Sequence, residues 1–163
     1  MEVMQKRIVS CILAMCLVLV SVYADSYAEN AQNRKLVELQ AFGIIKSVDM
    51  SPEHMSEDIT RAEFITIVLR MIRQEDLGFG ELDSIYSDVS PNAWYAENVS
   101  TSTYLGIVSG YEDGTFRPLD GVTLHEAAKV MTTALGYEVV AASNGGYPKG
   151  YLLTAHNIGL LKG

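Results

Sequence analysis

Cysteine is nearly absent: two occur in 163 residues, Cys11 and Cys16, and both lie inside an apolar run near the N-terminus. The chain beyond that run has no thiol, which excludes a disulfide framework, a cysteine metal site and a thiol nucleophile. Basic residues are also few, with Lys and Arg totalling 12 against 20 Asp and Glu for a net charge of −8. The broad cationic field that phosphate-backbone binding relies on is missing, so nucleic acid drops out as a partner class. Only three histidines occur, His54, His125 and His156, in separate regions of the chain and without metal-ligand spacing. A Gly-x-Ser-x-Gly elbow, a phosphate loop and a paired-acid motif are missing too, so the sequence predicts neither enzyme activity nor a bound metal or cofactor. With 48% hydrophobic and 20% charged residues the chain is no disordered polymer, and its length suits one domain.

The one long hydrophobic run, Ile8 to Val22, follows Lys6 and Arg7 and precedes Val22-Tyr23-Ala24 and Ser26-Tyr27-Ala28. It is shorter than the ~20 apolar residues of a spanning helix. Small residues at the −3 and −1 positions suit signal peptidase, so residues 1–24 read as a signal peptide, with cleavage after Ala24 or Ala28. Membrane contact is then confined to the signal before cleavage. Cys16 follows the bulky Met15 in mid-run, which argues against lipidation. Loss of Glu2, Lys6 and Arg7 with the signal makes the exported chain more acidic by a single charge.

The chain repeats itself. Gly43-Ile44-Ile45 aligns with Gly106-Ile107-Val108, and Thr60-Arg61-Ala62-Glu63 with Thr123-Leu124-His125-Glu126, both at a shift of 63 positions. Asn157 to Gly163 matches Tyr104 to Gly110 at a shift of 53, the ten-residue difference falling in the Gly- and acid-rich linker Gln74–Ser84. In each full unit a helix carries a 3.6-period apolar stripe: Phe64, Ile67, Val68, Met71 and Ile72, then Ala127, Val130, Met131, Ala134 and Leu135. Each opens on Thr-x-x-Glu, in which the threonine hydroxyl and the glutamate carboxylate cap the helix reciprocally. An earlier helix in each unit, such as Lys35–Phe42 or Trp94–Leu105, stops at Gly43, Gly106 or Gly159. Asp113-Gly114 marks a tight turn between the two helices of the second unit, and Phe116 offers it an apolar anchor. Short helix pairs cannot bury their apolar faces alone, so the units are expected to stack into a mainly helical, all-α domain. Trp94 and Tyr95 are expected to pack between units. Asp88 and Asp113 lack the alternating acids of a calcium loop and read as turn-making and capping groups.

Taken together, Tyr86-Ser87-Asp88-Val89, Trp94-Tyr95, Leu105 to Tyr111, Asp113-Gly114-Thr115-Phe116-Arg117-Pro118 and Val122-Thr123 closely resemble the S-layer homology (SLH) repeat of bacterial cell-surface proteins. Ile59 to Phe64 resembles that family's helix start, and Gly146 to Tyr151 the opening of a third repeat. The resemblance implies a repeat over 25–84 with its linker, another over 85–143, and the beginning of a third over 144–163 whose second helix is missing, in a pseudo-threefold bundle. It implies a secreted protein of the cell wall or S-layer. It also implies non-covalent binding of a peptidoglycan-linked secondary cell-wall polymer, often pyruvylated, in grooves between repeats. Thr60, Arg61, Glu63, Asp88, Trp94, Asp113, Gly114, Thr115, Arg117 and Thr123 are the candidate polymer-binding residues that follow from it.

Physical chemistry is compatible with such a ligand: a guanidinium pairs with carboxylates, amides at a helix start favour anions, and aromatic rings stack on sugar faces. Arg61 stands at such a start, whereas the second unit has Leu124 and His125 in place of Arg61 and Ala62. One composite groove is therefore expected, with Arg61 facing the loop of the second unit. A truncated third repeat would leave apolar faces exposed, favouring low stability or dimerisation. The alternative is a secreted structural protein that self-assembles through its repeats, as an S-layer subunit would.

Overall fold

A computed structural model of the protein describes residues 34–46, 58–75 and 86–161. The expected signal peptide at 1–24, His54 and most of the linker at 74–84 lie outside the described residues. The chain divides into two units, Met1–Ile45 and Lys46–Gly163. In the first, helix α1 covers 34–41 and stops at Gly43, whose amide donates to the Gln40 carbonyl at 2.9 Å. The second holds α2 (Arg61–Met71), α3 (Ala96–Tyr104), α4 (Leu124–Ala134), α5 (Glu138–Ser143) and α6 (Lys149–Asn157). The fold is mainly helical, as the periodicity predicts. Extended pairing among the described residues is limited to one isolated antiparallel bridge, Thr60 to Gly121. Two Thr-capped helices occur there, so the threefold arrangement remains an expectation.

Both capping boxes form. The Thr60 amide and hydroxyl donate to Glu63 Oε2 at 2.8 and 2.7 Å, and the Glu63 amide donates back to the Thr60 hydroxyl. Thr123 and Glu126 reproduce the arrangement at 2.9 and 2.7 Å. Gly43, Gly106 and Gly159, the three expected helix stops, all take positive φ. That conformation strains an L side chain but not glycine.

Helix α2 packs on α3 and α4, and α4 also packs on α5 and α6. Ile65, Val68, Leu69, Tyr86, Val99 and Phe116 are among the side chains that fill the core. The Asn98 amide nitrogen donates to the Thr66 hydroxyl at 2.9 Å, a buried link between α3 and α2.

Three expectations need correction. The apolar stripe of α2 is offset from its deepest line: Ala62, Ile65 and Leu69 are buried with Val68, while Phe64, Met71 and Ile72 are only partly so. On α4 the buried positions are Ala128, Val130 and Thr132, and Leu135 is exposed. Each helix meets two or more neighbours, so its buried arc is wider than one stripe and centred elsewhere. Trp94, expected between repeats, is 60% exposed and meets Tyr95 edge-on at 5.3 Å. Helix α5 has no counterpart among the helices that the sequence predicts. It is six residues long and lies between Gly136 and Gly145.

Gly110 marks a close approach. Its amide donates to the Tyr86 hydroxyl oxygen at 2.9 Å, and a methyl group on its Cα would overlap the Tyr86 ring and the Thr115 carbonyl. Gly110→Ala is expected to cost roughly 2–3 kcal/mol, because a backbone oxygen cannot step aside as a side chain can. Urea unfolding measures it, and an unchanged midpoint would refute the contact.

Candidate functional site

The segment from Tyr86 to Pro118 is a loop-and-helix unit tied by its own polar groups. Asp88 accepts from the Phe116 amide at 2.8 Å and from the Arg117 amide at 2.7 Å, which pins the loop's return. Asp113 accepts from the Thr115 amide and hydroxyl, and its other oxygen pairs with Arg117 Nη2 at 2.9 Å. Gly114 turns the chain at φ +78°, and its carbonyl accepts from the Ser87 amide at 3.1 Å. Asp88, Asp113 and Thr115 are thus engaged in building the loop, in line with the turn-making reading of both aspartates. No cluster of metal-ligating side chains exists among the described residues.

The loop closes over the start of α2. The Arg61 amide donates to the Asp120 carbonyl at 2.9 Å, and the Ala62 amide to that of Pro118 at 2.9 Å. The helix-start amides that the sequence offered to an anion are therefore already satisfied by the carbonyls of Asp120 and Pro118, since buried donors take whatever acceptor the fold supplies.

Arg61 is 8% exposed. Its Nε donates to the Phe116 carbonyl at 3.0 Å and its Nη1 pairs with Glu126 Oε1 at 2.6 Å. The guanidinium carbon stands 4.7 Å from the Phe116 ring centre and 5.0 Å from that of Tyr111. Arg61 thus faces the Asp113–Pro118 loop. Its partner, the capping glutamate of α4, is not among the residues that the sequence pairs with it. The Tyr111 hydroxyl also donates to Glu126 Oε1, at 2.8 Å, and Arg117 lies 4.0 Å from the Tyr111 ring centre.

Arg61, Tyr111, Phe116 and Glu126 wall a cleft of about 230 Å³ between α2, the segment 107–111 and α4, with Lys129 and Tyr147 also among its lining residues. Of the ten residues expected at a site, only Arg61 lines it. Asp88, Asp113, Gly114, Thr115 and Arg117 build the adjoining loop, Thr60, Glu63 and Thr123 cap the helices, and Trp94 lies apart. Sequence reasoning missed Tyr111, Glu126, Lys129 and Tyr147 as cleft residues. Glu126 signalled only a cap, and a lysine on an amphipathic helix reads as solvated surface.

Burial alone would push the Glu126 carboxyl up. The Thr123 hydroxyl and amide, the Tyr111 hydroxyl and the Arg61 charge outweigh it, so the net shift is downward. The Thr115 hydroxyl, then Arg117 and the Thr115 amide, hold Asp113 down to about 2. Both groups are depressed in the folded state, so their stabilisation is complete above the ordinary carboxylate range and lost as pH falls through the folded values. The melting temperature is therefore expected to hold down to about pH 4.5, the ordinary value for a glutamate, and to fall below it, with Glu126→Gln removing part of that fall. A melting curve against pH with the same slope in both proteins would contradict this.

Residues 85–128, which contain the loop, α3 and the first turn of α4, match the S-layer homology domain. The chain belongs to the S-layer homology family. Relatives extend the similarity beyond that segment. The Middle cell wall protein of Brevibacillus brevis is 30% identical over 145 residues, which cover 82% of this chain and 14% of that protein. The Surface layer protein of Brevibacillus choshinensis is 28% identical over 134 residues, 82% of this chain and 12% of that one. An amylopullulanase of Thermoanaerobacterium thermosulfurigenes is 30% identical over 99 residues, 60% of this chain and 5% of the enzyme. The chain thus spans a small fraction of the length of these relatives.

Proposed function

We propose that this chain is a non-enzymatic wall-anchoring module, which holds an exported surface protein to the bacterial cell wall by gripping a peptidoglycan-linked anionic glycan in the cleft between its first and second repeats. The observation that carries the reading is the cleft itself. It brings cationic side chains, aromatic rings and peptide groups together inside an otherwise acidic molecule, at the S-layer homology segment. A volume below the ~300–1,000 Å³ of drug-sized sites suits one sugar unit of a chain rather than a long stretch of it. Hydroxyl-rich rings with an acidic substituent, such as a pyruvyl ketal, supply the face for the aromatics and the charge for the cation.

The relatives support anchoring over catalysis. A segment common to a protein named for the cell wall and to a small portion of an amylopullulanase fits an attachment module better than an active site. One observation favours self-assembly instead: Val139 is 81% exposed, and Val140 and Leu153 are also exposed on α5 and α6. Sedimentation with wall sacculi separates the two. An anchor co-sediments with intact sacculi, and is released by stripping of the secondary polymer or by depyruvylation. A self-assembler forms oligomers in wall-free buffer, and retention that survives stripping would remove the polymer from the account.

A further inference from the structure

The charge balance of the cleft assigns a ligand contact that the sequence did not suggest. Three ionised side chains line it: Arg61, Glu126 and Lys129. Arg61 and Glu126 neutralise each other at 2.6 Å. The arginine's Nε is taken by the Phe116 carbonyl, and the rings of Phe116 and Tyr111 stand beside its guanidinium carbon. Glu126 is equally committed, accepting from Thr123 and from the Tyr111 hydroxyl. A ligand carboxylate approaching the buried Arg61 would have to displace a partly buried partner whose desolvation is already compensated.

Lys129 is different. It sits one turn beyond Glu126 on the same side of α4, half-buried, and no carboxylate pairs with it among the described residues. Its Nζ stands 5.8 Å from the centre of the Tyr147 ring, and that residue is 54% exposed. The cleft therefore carries one uncompensated positive charge, next to an aromatic ring open to solvent. An ammonium is a point charge with three rotatable donors, so it accepts an anion without demanding the planar fork that an arginine offers.

We propose that Lys129 and Tyr147 form the anion-binding subsite of the cleft, taking a sugar ring that bears a single anionic group, and that Arg61 is a positioning residue that holds the cleft wall. The proposal rests on the anchoring reading for the identity of its natural ligand. Lys129 meets the anion, the Tyr147 ring meets the sugar face, and the Arg61–Glu126 pair fixes the loop and α4 on either side.

The test uses the full chain as wild type, Lys129→Gln, Lys129→Arg and Tyr147→Leu, with melting curves to confirm that the folds match. Two probes are titrated: wall sacculi that retain their secondary polymer, and small sugars followed by NMR, namely D-glucuronate, glucose 6-phosphate and D-glucose. Lys129→Gln is expected to weaken sacculus binding about tenfold, the worth of one charge-assisted contact. Lys129→Arg should stay close to wild type, and Tyr147→Leu should weaken binding severalfold. Glucuronate or glucose 6-phosphate should shift the Lys129 and Tyr147 resonances and D-glucose should not; a response to glucose 6-phosphate alone upholds the subsite with phosphate as its anion, and an equal response to D-glucose overturns it. Sacculus binding by wild type and Lys129→Gln with equal affinity overturns the subsite and leaves anchoring intact. If wild type does not bind sacculi, anchoring is lost and the small acids decide: a shift abolished by Lys129→Gln upholds the subsite, and no shift from either acid overturns it.

Discussion

Phe116→Ala is expected to destabilise the second unit by about 3–5 kcal/mol. The ring is fully buried, 5.4 Å from the Tyr86 ring and 4.7 Å from the Arg61 guanidinium. Its removal leaves a cavity at the point where α2, the loop and the Tyr86 segment converge, and the backbone pinned by Asp88 cannot collapse to fill it. Urea unfolding followed by circular dichroism measures the loss. A change below about 1 kcal/mol would mean that the loop does not hold the unit together.

Arg61→Ala is expected to cost roughly 3 kcal/mol, and for electrostatic rather than steric reasons. Truncation strands Glu126 without its cation and leaves the Phe116 carbonyl without that donor. Losing one partner of a largely buried pair is far costlier than losing both. The double variant Arg61→Ala/Glu126→Gln should therefore be more stable than the sum of the two single changes implies. For a unit of this size the single change lowers the melting temperature by roughly 10–20 °C. A melting temperature unchanged in Arg61→Ala would show that the pair does not form in solution. Weaker wall retention by Arg61→Ala is expected too, as a consequence of the disturbed cleft, so it must be read beside the melting curve.

Local rules made much of this structure legible. Thr60 with Glu63 and Thr123 with Glu126 are capping boxes because their groups lie three residues apart, and nothing distant is needed to form them. The glycine stops were equally local. The partner of Arg61 was not: Glu126 is 65 positions away, and its Thr-x-x-Glu context accounted for it without a second role. Trp94 failed for the opposite reason. Its size argued for burial, but nothing in its neighbourhood said which element would cover it, and it stays largely open to solvent. Helix α5 escaped because six residues are too few to show a period. Lys129 and Tyr147 become a pair only when α4 and the turn that leads into α6 are packed together, a contact between elements that no spacing encodes.

The same packing is what the proposed anion site requires of an acidic protein. Its net charge of −8 opposes anions at long range, so recognition has to be local, within a Debye length of ~8–10 Å. Neutralising Arg61 internally and leaving Lys129 unpaired gives the cleft that local bias while the buried charge stays compensated.

Whether the wall glycan enters the cleft lined by Arg61, Glu126 and Lys129 is decided by mapping amide resonances of the isotopically labelled chain during titration with polymer fragments released from sacculi. The largest shifts are expected on Ser109, Gly110, Tyr111 and Lys129, around the cleft. Shifts confined to α5 and the outer face of α6, or no shifts at saturating fragment, would contradict it.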